Sequence, residues 1–320
     1  MKQVRFSKKN LISLAGAILI YFLVYWLQAA GVISAFQEIN LMMMGINIIL
    51  AVSLNLIVGF TGQLALGHAG FMAVGAYVSA ILTTNLGQPF PVAILAGACA
   101  AAVAGIIIGL PTLRLRGDYL AIATLGFGEI IRGAANNINY IGGAAGMIGI
   151  PQLTNWTWLY LMMVLTILVI VNFLNSTHGR ACVAIRENEI AAETMGINTT
   201  YYKVLAFAIG AFFAGIAGAL YAHYFYLIQP TTFTFFRSFD ILVMVVFGGL
   251  GSVTGSIIAA AAITLINAAL QDLAVLRMVI YAVLLIVIMV FRPQGLMGNK
   301  ELTLDRWVPK RGEASGSAGN

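Results

Sequence analysis

Long apolar runs separated by short polar stretches occupy most of this chain. Continuous runs fill 11–30, 38–58, 67–86, 90–110, 156–174, 204–222 and 275–291. A helix needs about 20 apolar residues to cross a bilayer core roughly 30 Å thick, whereas strands of a membrane barrel show alternating polarity. The pattern therefore predicts an all-α fold, a polytopic transmembrane helix bundle.

Three less regular segments complete the predicted bundle. They are a crossing at about 118–136, a short one at 239–250, and another at 252–270, which gives about ten crossings. Because no A-x-A-like cleavage site follows the first run, we interpret it as a retained helix. We predict three parts: a cytoplasmic N-terminal segment at 1–10, a transmembrane domain at 11–297, and a cytoplasmic polar tail at 298–320, whose end we expect to be disordered.

Composition supports lipid contact. Hydrophobic residues make up 61% of the chain and charged residues only 9%, against about a quarter charged in soluble domains. The net charge is +6. Cationic loops stay on the cytoplasmic side of a membrane, and this rule places both termini inside, in the cytoplasmic membrane. The cationic clusters that it gathers there are Lys2, Arg5, Lys8 and Lys9; Arg114 and Arg116; Arg180, Arg186 and Lys203; and Arg292, Lys300, Arg306, Lys310 and Arg311. No nucleic-acid partner is needed to explain the positive charge.

Two glycine-rich breaks interrupt the apolar runs. The first is Gly59-Phe60-Thr61-Gly62, after which the chain resumes at Gly67-His68-Ala69-Gly70; the second is Gly248-Gly249-Leu250-Gly251. Broken helices survive at membrane depth only where protein or a water-filled cavity covers the freed backbone, so breaks point to a transport path. The two breaks also suggest a weak internal repeat, in which residues 204–291 repeat the pattern of residues 38–110.

Charged residues within spans are the next candidates. Glu129, Arg132 and Asn136 share one face of the fifth crossing, where Glu129 and Arg132 can form an ion pair. That pair is either a polar wall of the path or a lock for the bundle. We expect Arg237, Asp240, Asp272 and Arg277 to be solvated boundary residues. His68, a lone histidine beside glycines, is more typical of a packing residue than of a ligand. The candidate path residues are Asn55, Gly59, Gly62, Gln63, Gly67, His68, Gly70, Glu129, Arg132, Gly248, Gly249 and Gly251.

Small residues recur four apart in three runs, and this spacing predicts close helix packing. The runs are Ala93, Gly97, Ala101, Gly105 and Gly109; Gly210, Ala214, Gly218 and Ala222; and Ser252, Ser256, Ala260, Thr264 and Ala268.

The sequence offers no enzymatic motif. It lacks G-x-x-x-x-G-K-[ST], H-E-x-x-H, C-x-x-C and G-x-S-x-G, so we predict no catalytic residue, no metal site and no cofactor in this chain. If transport uses ATP, another chain must bind it. With only Cys99 and Cys182 present, a disulfide framework is not expected.

The polar loop 175–203 has a pattern of its own. We predict a helix from Arg180 to Met195 that ends at Gly196, a residue suited to a left-handed cap. Ile185, Ala192 and Met195 form a mildly apolar stripe, and the charged side chains Arg186, Glu187, Glu189 and Glu193 are expected to be exposed. Periodicity alone leaves two interpretations open, a docking helix for a soluble partner or a solvated connector.

The same loop resembles the coupling motif of ABC-importer permeases, in which a Glu-Ala-Ala core is followed by glycine. Here the core is Glu189, Ala191 and Ala192 with Gly196, and Ile190 interrupts it. The fuller run from Gly179 to Asn198 resembles branched-chain amino acid permeases of the LivM type. Three other segments are similar to motifs of that family: Leu54–Tyr77, Leu113–Phe127 and Phe291–Leu296.

The resemblance implies a permease subunit that pairs with a second related permease. Two ABC ATPase subunits would carry ATP and magnesium, and a periplasmic or surface amino acid-binding protein would deliver leucine, isoleucine, valine or a related hydrophobic amino acid. It assigns ATPase coupling to the loop: polar contacts to Arg186, Glu187, Glu189 and Glu193, close fit to Ala191, Ala192 and Gly196, with Arg180 beside them. Alternatives left open are urea, short amides or sugars as cargo, an ion-coupled secondary carrier, and a membrane scaffold that transports nothing.

Overall fold

The computed structural model describes residues 8–112, 117–271, 283, 286 and 295–298. Eleven α-helices occur in these ranges: α1 (Lys8–Ala29), α2 (Ala35–Asn55), α3 (His68–Thr84), α4 (Phe90–Thr112), α5 (Asp118–Asn137), α6 (Trp156–Asn175), α7 (Thr177–Glu187), α8 (Glu189–Thr194), α9 (Thr199–Phe225), α10 (Phe235–Gly248) and α11 (Val253–Ala269). A π-helical turn, Leu56–Phe60, extends α2, and short 3₁₀ turns occupy Asn139–Ile141, Gly143–Ala145 and Pro230–Phe233.

The helical bundle predicted from the apolar runs is confirmed. Within the described residues, four helical stretches are long and apolar enough to cross a membrane: Ala35–Phe60, Phe90–Pro111, Trp156–Asn175 and Thr199–Phe225. Helices also coincide with five of the remaining expected crossings, and the short eighth one begins at Phe235, four residues earlier than its apolar run suggested. The expected crossing at 275–291, the tail at 298–320 and the side chains of Asp272 and Arg277 lie essentially outside the described residues, so ten crossings stay a prediction.

Helix α2 lies at the centre of the bundle. Its second half, from Ile46 to Asn55, is buried on every side, because α6, α9, α10 and α11 all pack around it. A helix that is apolar all round needs such a position, and here the only polar interruptions are Asn47, Ser53 and Asn55. These three side chains therefore need partners from neighbouring helices.

Helices α3, α4 and α9 form the tightest part of the bundle. A Cβ atom built on Gly75 of α3 would collide with the backbone of Gly215 in α9, and one on Gly97 of α4 would lie 2.7 Å from the carbonyl oxygen of Gly75. A Cβ on Gly105 would lie 2.7 Å from that of Ala211. The predicted small-residue packing is confirmed, because these contacts bring backbones together where a larger side chain would not fit.

Peripheral parts of the chain are simpler. Helix α1 exposes most of its described apolar side chains and is held to α6 by Tyr21, whose hydroxyl is 3.0 Å from that of Thr157. The all-α fold includes one short strand pair, in which Met147–Ile148 (β1) pairs antiparallel with Leu227–Ile228 (β2). This pair ties the loop after α5 to the end of α9.

Candidate functional site

Asn55 joins the two glycine breaks. It is fully buried at the end of α2, and its Nδ2 donates to the carbonyl of Ser252 (2.8 Å) and to the hydroxyl of Ser256 (2.9 Å). Its Oδ1 accepts from the amide of Gly251 at 3.1 Å. Gly249 and Gly251 have φ of 112° and 86°, a region that favours glycine. The side chain thus supplies partners for backbone groups that the second break leaves outside regular helix.

The first break lies directly against the second. A Cβ atom on Gly59 would overlap both the Asn55 side chain and the amide of Gly251. Gly248 makes a similar approach to Gly255 across the α10–α11 turn. Segments almost 200 residues apart in sequence therefore meet at one point, as expected of two elements of a shared path.

The loop 175–203 contains two helices, so the prediction of a single helix from Arg180 to Met195 is wrong. Helix α7 ends at Glu187 and α8 begins at Glu189. Asn188, between them, has extended backbone angles, and its Oδ1 accepts from the amide of Ala191 at 3.0 Å. Such a side-chain cap starts a new helix. The predicted end is confirmed, because Gly196 has φ of 82° just after α8.

Arg186 connects this loop to the first break. Its Nη1 donates to the carbonyl oxygen of Gly59 at 2.9 Å, and its Nη2 and Nε contact Oε1 of Glu187 at 2.6 and 3.1 Å. The expectation that Arg186 is an exposed side chain is corrected accordingly, since it is 24% exposed. A cavity of about 450 Å³ opens at this junction, lined by Val58, Gly59, Gly62, Leu64, Arg186, Glu187 and Leu250.

Two other predicted loop contacts have partners within the chain, although Glu193 stays exposed as predicted. Glu189 pairs with Lys203 of α9, with 2.6 Å between Oε1 and Nζ. Oε1 of Glu193 accepts from the hydroxyl of Thr199 at 2.8 Å. Both carboxylates therefore have partners within their own chain, and α8 is fixed to the start of α9.

Two large apolar side chains are exposed on the loop, among polar residues such as Glu187 and Asn188. Ile190 is 65% exposed and Met195 is 82% exposed, although Met195 was expected in the apolar stripe with Ile185 and Ala192. Ile185 and Ala192 are buried, as expected. Ala191 and Gly196 are exposed. Because Ala192 is buried, it packs against residues of this chain and not against a partner. The surface that a partner can reach centres on Ile190 and Met195.

Cys182 lies on the inner face of α7 and is fully buried. Burial raises the pKa of its thiol to about 11. Both Cys182 and Cys99 are free, and Cys99 is exposed on α4.

A second group of predicted path residues surrounds the start of α3. The ring of His68 is buried, and its Nε2 is 2.9 Å from Oγ of Ser53. A Cβ on Gly67 would overlap the carbonyl of Thr124 in α5, and one on Gly70 would lie 2.9 Å from Cα of Gly128. His68 thus packs as expected, although its Nδ1 has no hydrogen-bond partner among the described residues.

Glu129 and Arg132 form the predicted ion pair next to this group. Oε2 of Glu129 is 2.6 Å from Nη2 of Arg132, and both side chains are about one third exposed. Oε1 of Glu129 accepts from the amide of Phe235, the first residue of α10, at 3.1 Å. A carboxylate is favourable at a helix N-terminus, so the pair also fixes α5 against α10.

Comparison with known proteins identifies the family. The model of the family described as "Branched-chain amino acid transport system / permease component" matches residues 36–289, most of the chain. This chain belongs to that permease family.

Curated relatives of this permease agree with the assignment. It is 37% identical over 281 residues to the high-affinity branched-chain amino acid transport system permease protein LivM of Salmonella typhimurium and, equally, to LivM of Escherichia coli. Each alignment covers 77% of this chain and 65% of the relative, so the permease spans just under two thirds of their length. LivH of Salmonella typhimurium is 28% identical over 186 residues, 57% of each chain. No solved structure matches.

The permease brings its predicted path residues together in two groups rather than in one cavity. Asn55, Gly59, Gly62, Gly248, Gly249 and Gly251 surround the junction with Arg186, whereas Gly67, His68, Gly70, Glu129 and Arg132 lie around the start of α3. Gln63 lies between these groups in the chain, is buried, and donates to the carbonyl of Lys203 at 3.4 Å.

One polar contact of the permease was not predicted from its sequence. Arg237, expected to be solvated, donates from Nη2 to Oδ1 of Asn47 at 2.7 Å. Nδ2 of the buried Asn47 donates in turn to the hydroxyl of Thr264 in α11 at 2.9 Å. The sequence signal for this contact is Asn47, a polar side chain inside the apolar run of α2, because an amide at that depth needs a hydrogen-bond partner.

The C-terminal family segment reaches the second break. Only residues 295–298 of it are described, and there the amides of Leu296 and Met297 donate to the carbonyls of Phe247 (2.8 Å) and Gly248 (3.2 Å). The rest of the segment, like Arg114 and Arg116, is outside the described residues.

Proposed function

We propose that this chain is a permease subunit of a binding-protein-dependent ABC importer that carries leucine, isoleucine, valine or related hydrophobic amino acids. It would lie in the cytoplasmic membrane with both termini inside and form the path together with a second related permease. Relatives named LivM and LivH, each a branched-chain amino acid permease, support such a pair.

The observation that carries the proposal is the construction of the α7–α8 loop. It is held to the bundle through Arg186, Glu189 and Glu193, yet it presents Ile190 and Met195 to the outside. We assign Ile190 and Met195, two large apolar side chains exposed on a polar loop, to the docking surface for a partner. Partner ATPase subunits, carrying ATP and magnesium, would dock there, since this sequence has no P-loop.

The proposed path follows from the open side of α5. Glu129 and Arg132 are partly exposed on a helix in which Cβ atoms on Gly126 and Gly133 would meet nothing within 4 Å. Charged groups in spans face a water-filled cavity or another protein helix rather than lipid. We therefore assign this face to the path or to its boundary with the second permease.

A test of docking uses Ile190→Glu in the complex purified from native membranes. A carboxylate in the centre of an apolar contact must be desolvated, so we expect the ATPase subunits to dissociate and ATP-driven leucine uptake to fall by about tenfold or more. Thr200→Glu is the matched control, because Thr200 is exposed on the first turn of α9 and its side chain makes no hydrogen bond with the residues that the structure describes. Full retention of the ATPase subunits by Ile190→Glu would refute the docking surface.

Cargo is tested separately by competition. Uptake of labelled leucine into proteoliposomes should be inhibited by excess isoleucine and valine, and hardly at all by urea, acetamide or ribose. Inhibition by urea or ribose instead would overturn the amino acid assignment but leave the importer assignment intact.

A further inference from the structure

Arg186 holds the C-terminal end of the central helix from the side. One arm of its guanidinium, Nη1, donates to the carbonyl oxygen of Gly59, while Nε and Nη2 grip the carboxylate of the adjacent Glu187. Bonding along two edges of a planar guanidinium fixes its orientation, which a single contact would not do.

The Gly59 carbonyl is a fitting acceptor for a cation. It belongs to the π-helical turn Leu56–Phe60 that ends α2, and the last carbonyls of a helix lack partners within it and carry the negative end of the helix dipole. Contact extends to the backbone, because a Cβ atom on Gly62 would lie 3.1 Å from Cγ and 3.3 Å from Cα of Arg186. Helix α7 thus rests directly on the first break.

From Gly59 the contacts continue to the second break. Asn55, one turn earlier, is packed against Gly59 and accepts the amide of Gly251 while donating to the carbonyl of Ser252. A displacement of α7 therefore has a hydrogen-bonded route to α2 and onward to the α10–α11 turn. Among the described residues, Arg180 on the same helix donates only to Asn175 and Thr177 nearby, and so it offers no such route.

We propose that Arg186 is a positioning residue that links the loop to the path through the Gly59 carbonyl, rather than a direct contact to the ATPase. The inference rests on the proposed function, since it explains how ATPase movement reaches the two breaks. Such a link would switch an element that has two discrete arrangements. We assign that role to the pair of glycine breaks.

The test compares leucine imported with ATP hydrolysed in proteoliposomes containing the whole complex. Arg186→Gln should keep the complex assembled and hydrolysing ATP, while leucine imported per ATP falls by about tenfold, the size expected for losing one charge-assisted hydrogen bond. Arg186→Lys should be intermediate, because it keeps the charge and one donor but not the fixed fork. The control is His178→Gln, an exposed α7 change whose ring contacts Tyr202 and neither break.

A covalent replacement of the link provides a second readout. The Cβ atom built on Gly62 lies 3.5 Å from Cβ of Arg186, within the roughly 3.5–4.5 Å that a disulfide spans. Gly62 has φ of 72°, a conformation that strains any other residue, so Gly62→Cys alone, with Cys99 and Cys182 changed to alanine, is the reference variant. The double variant Gly62→Cys with Arg186→Cys in the same background should import less than this reference when reduced. Oxidation should restore a substantial part of the leucine imported per ATP.

Each outcome decides a different question. An unchanged ratio in Arg186→Gln, or no recovery after oxidation of the cross-linked pair, would refute the link. Loss of the ATPase subunits from Arg186→Gln would also refute it, in favour of a direct ATPase contact. Failure of the unmodified complex to import any amino acid would instead refute the proposed function.

Discussion

Asn55 satisfies three polar groups of the second break with one side chain. Asn55→Ala would leave the buried amide of Gly251 without a partner, so we expect the free energy of unfolding to fall by about 1–3 kcal/mol. Thermal unfolding of the purified protein in detergent measures this loss.

The control for that loss is Asn40→Ala. Asn40 lies on the same helix but donates only to the carbonyl of Phe36, one turn before it. Equal destabilisation by the two changes would contradict the bridging role of Asn55.

Thiol chemistry at the loop offers a prediction about sidedness. Thr200→Cys should react with a membrane-impermeant maleimide in inside-out vesicles and not in intact cells, because Thr200 is exposed in a loop placed in the cytoplasm and lies outside the proposed docking surface. Labelling of intact cells would place the loop outside and overturn the proposed topology.

Native Cys182 serves as the internal comparison. Its burial and its pKa of about 11 leave roughly a thousandth of the thiol ionised at pH 8. It should therefore stay unmodified on both sides, and reaction should rise steeply only as the pH approaches that pKa or as the protein unfolds. Rapid labelling at pH 7 in folded protein would contradict its burial on the inner face of α7.

At the scale of elements, stability depends on how closely α3, α4 and α9 approach. Gly75→Val puts two methyl groups against the backbone of Gly215, and overpacking of this kind costs about 1–3 kcal/mol. We expect a lower unfolding temperature than for Gly16→Val, which meets open space on α1. The same unfolding temperature for both variants would show that α3 and α9 are farther apart.

The helices themselves were largely predictable from the sequence, whereas the boundaries and contacts that connect them were not. The lengths of the apolar runs predicted the bounds of α2, α4, α6 and α9 to within a few residues, because crossing a bilayer requires a fixed helix length. Asn188 looked helical by periodicity, and only its side-chain bond to Ala191 makes it the start of α8. Local pattern does not choose between an asparagine inside a helix and one at its N-terminus.

Contacts between residues far apart in sequence explain the remaining differences between prediction and structure. Arg186 and Gly59 are 127 residues apart, and Arg237 and Asn47 are 190 apart. Sequence identified each of these as unusual, a charge in a loop helix or a polar group in a span. Nothing local specified which distant atom would be its partner, since that depends on how the helices pack.

For the whole molecule, the arrangement of Glu129 bears on the energy source. An ion-coupled carrier needs a carboxylate free to take up a cation on alternate sides, but Glu129 is bonded to Arg132 and to the amide of Phe235. We expect leucine uptake by cells to stop on ATP depletion and to persist with an uncoupler while ATP is maintained. Collapse of uptake by the uncoupler alone would support the carrier instead.

The contact of residues 296–297 with the end of α10 has a consequence for biosynthesis. Carbonyls of Phe247 and Gly248 gain those partners only after some fifty further residues have been translated and inserted. A nascent chain halted before Leu296 would lack both of these donors at the end of α10. Completion of synthesis and closure of the second break are thereby linked.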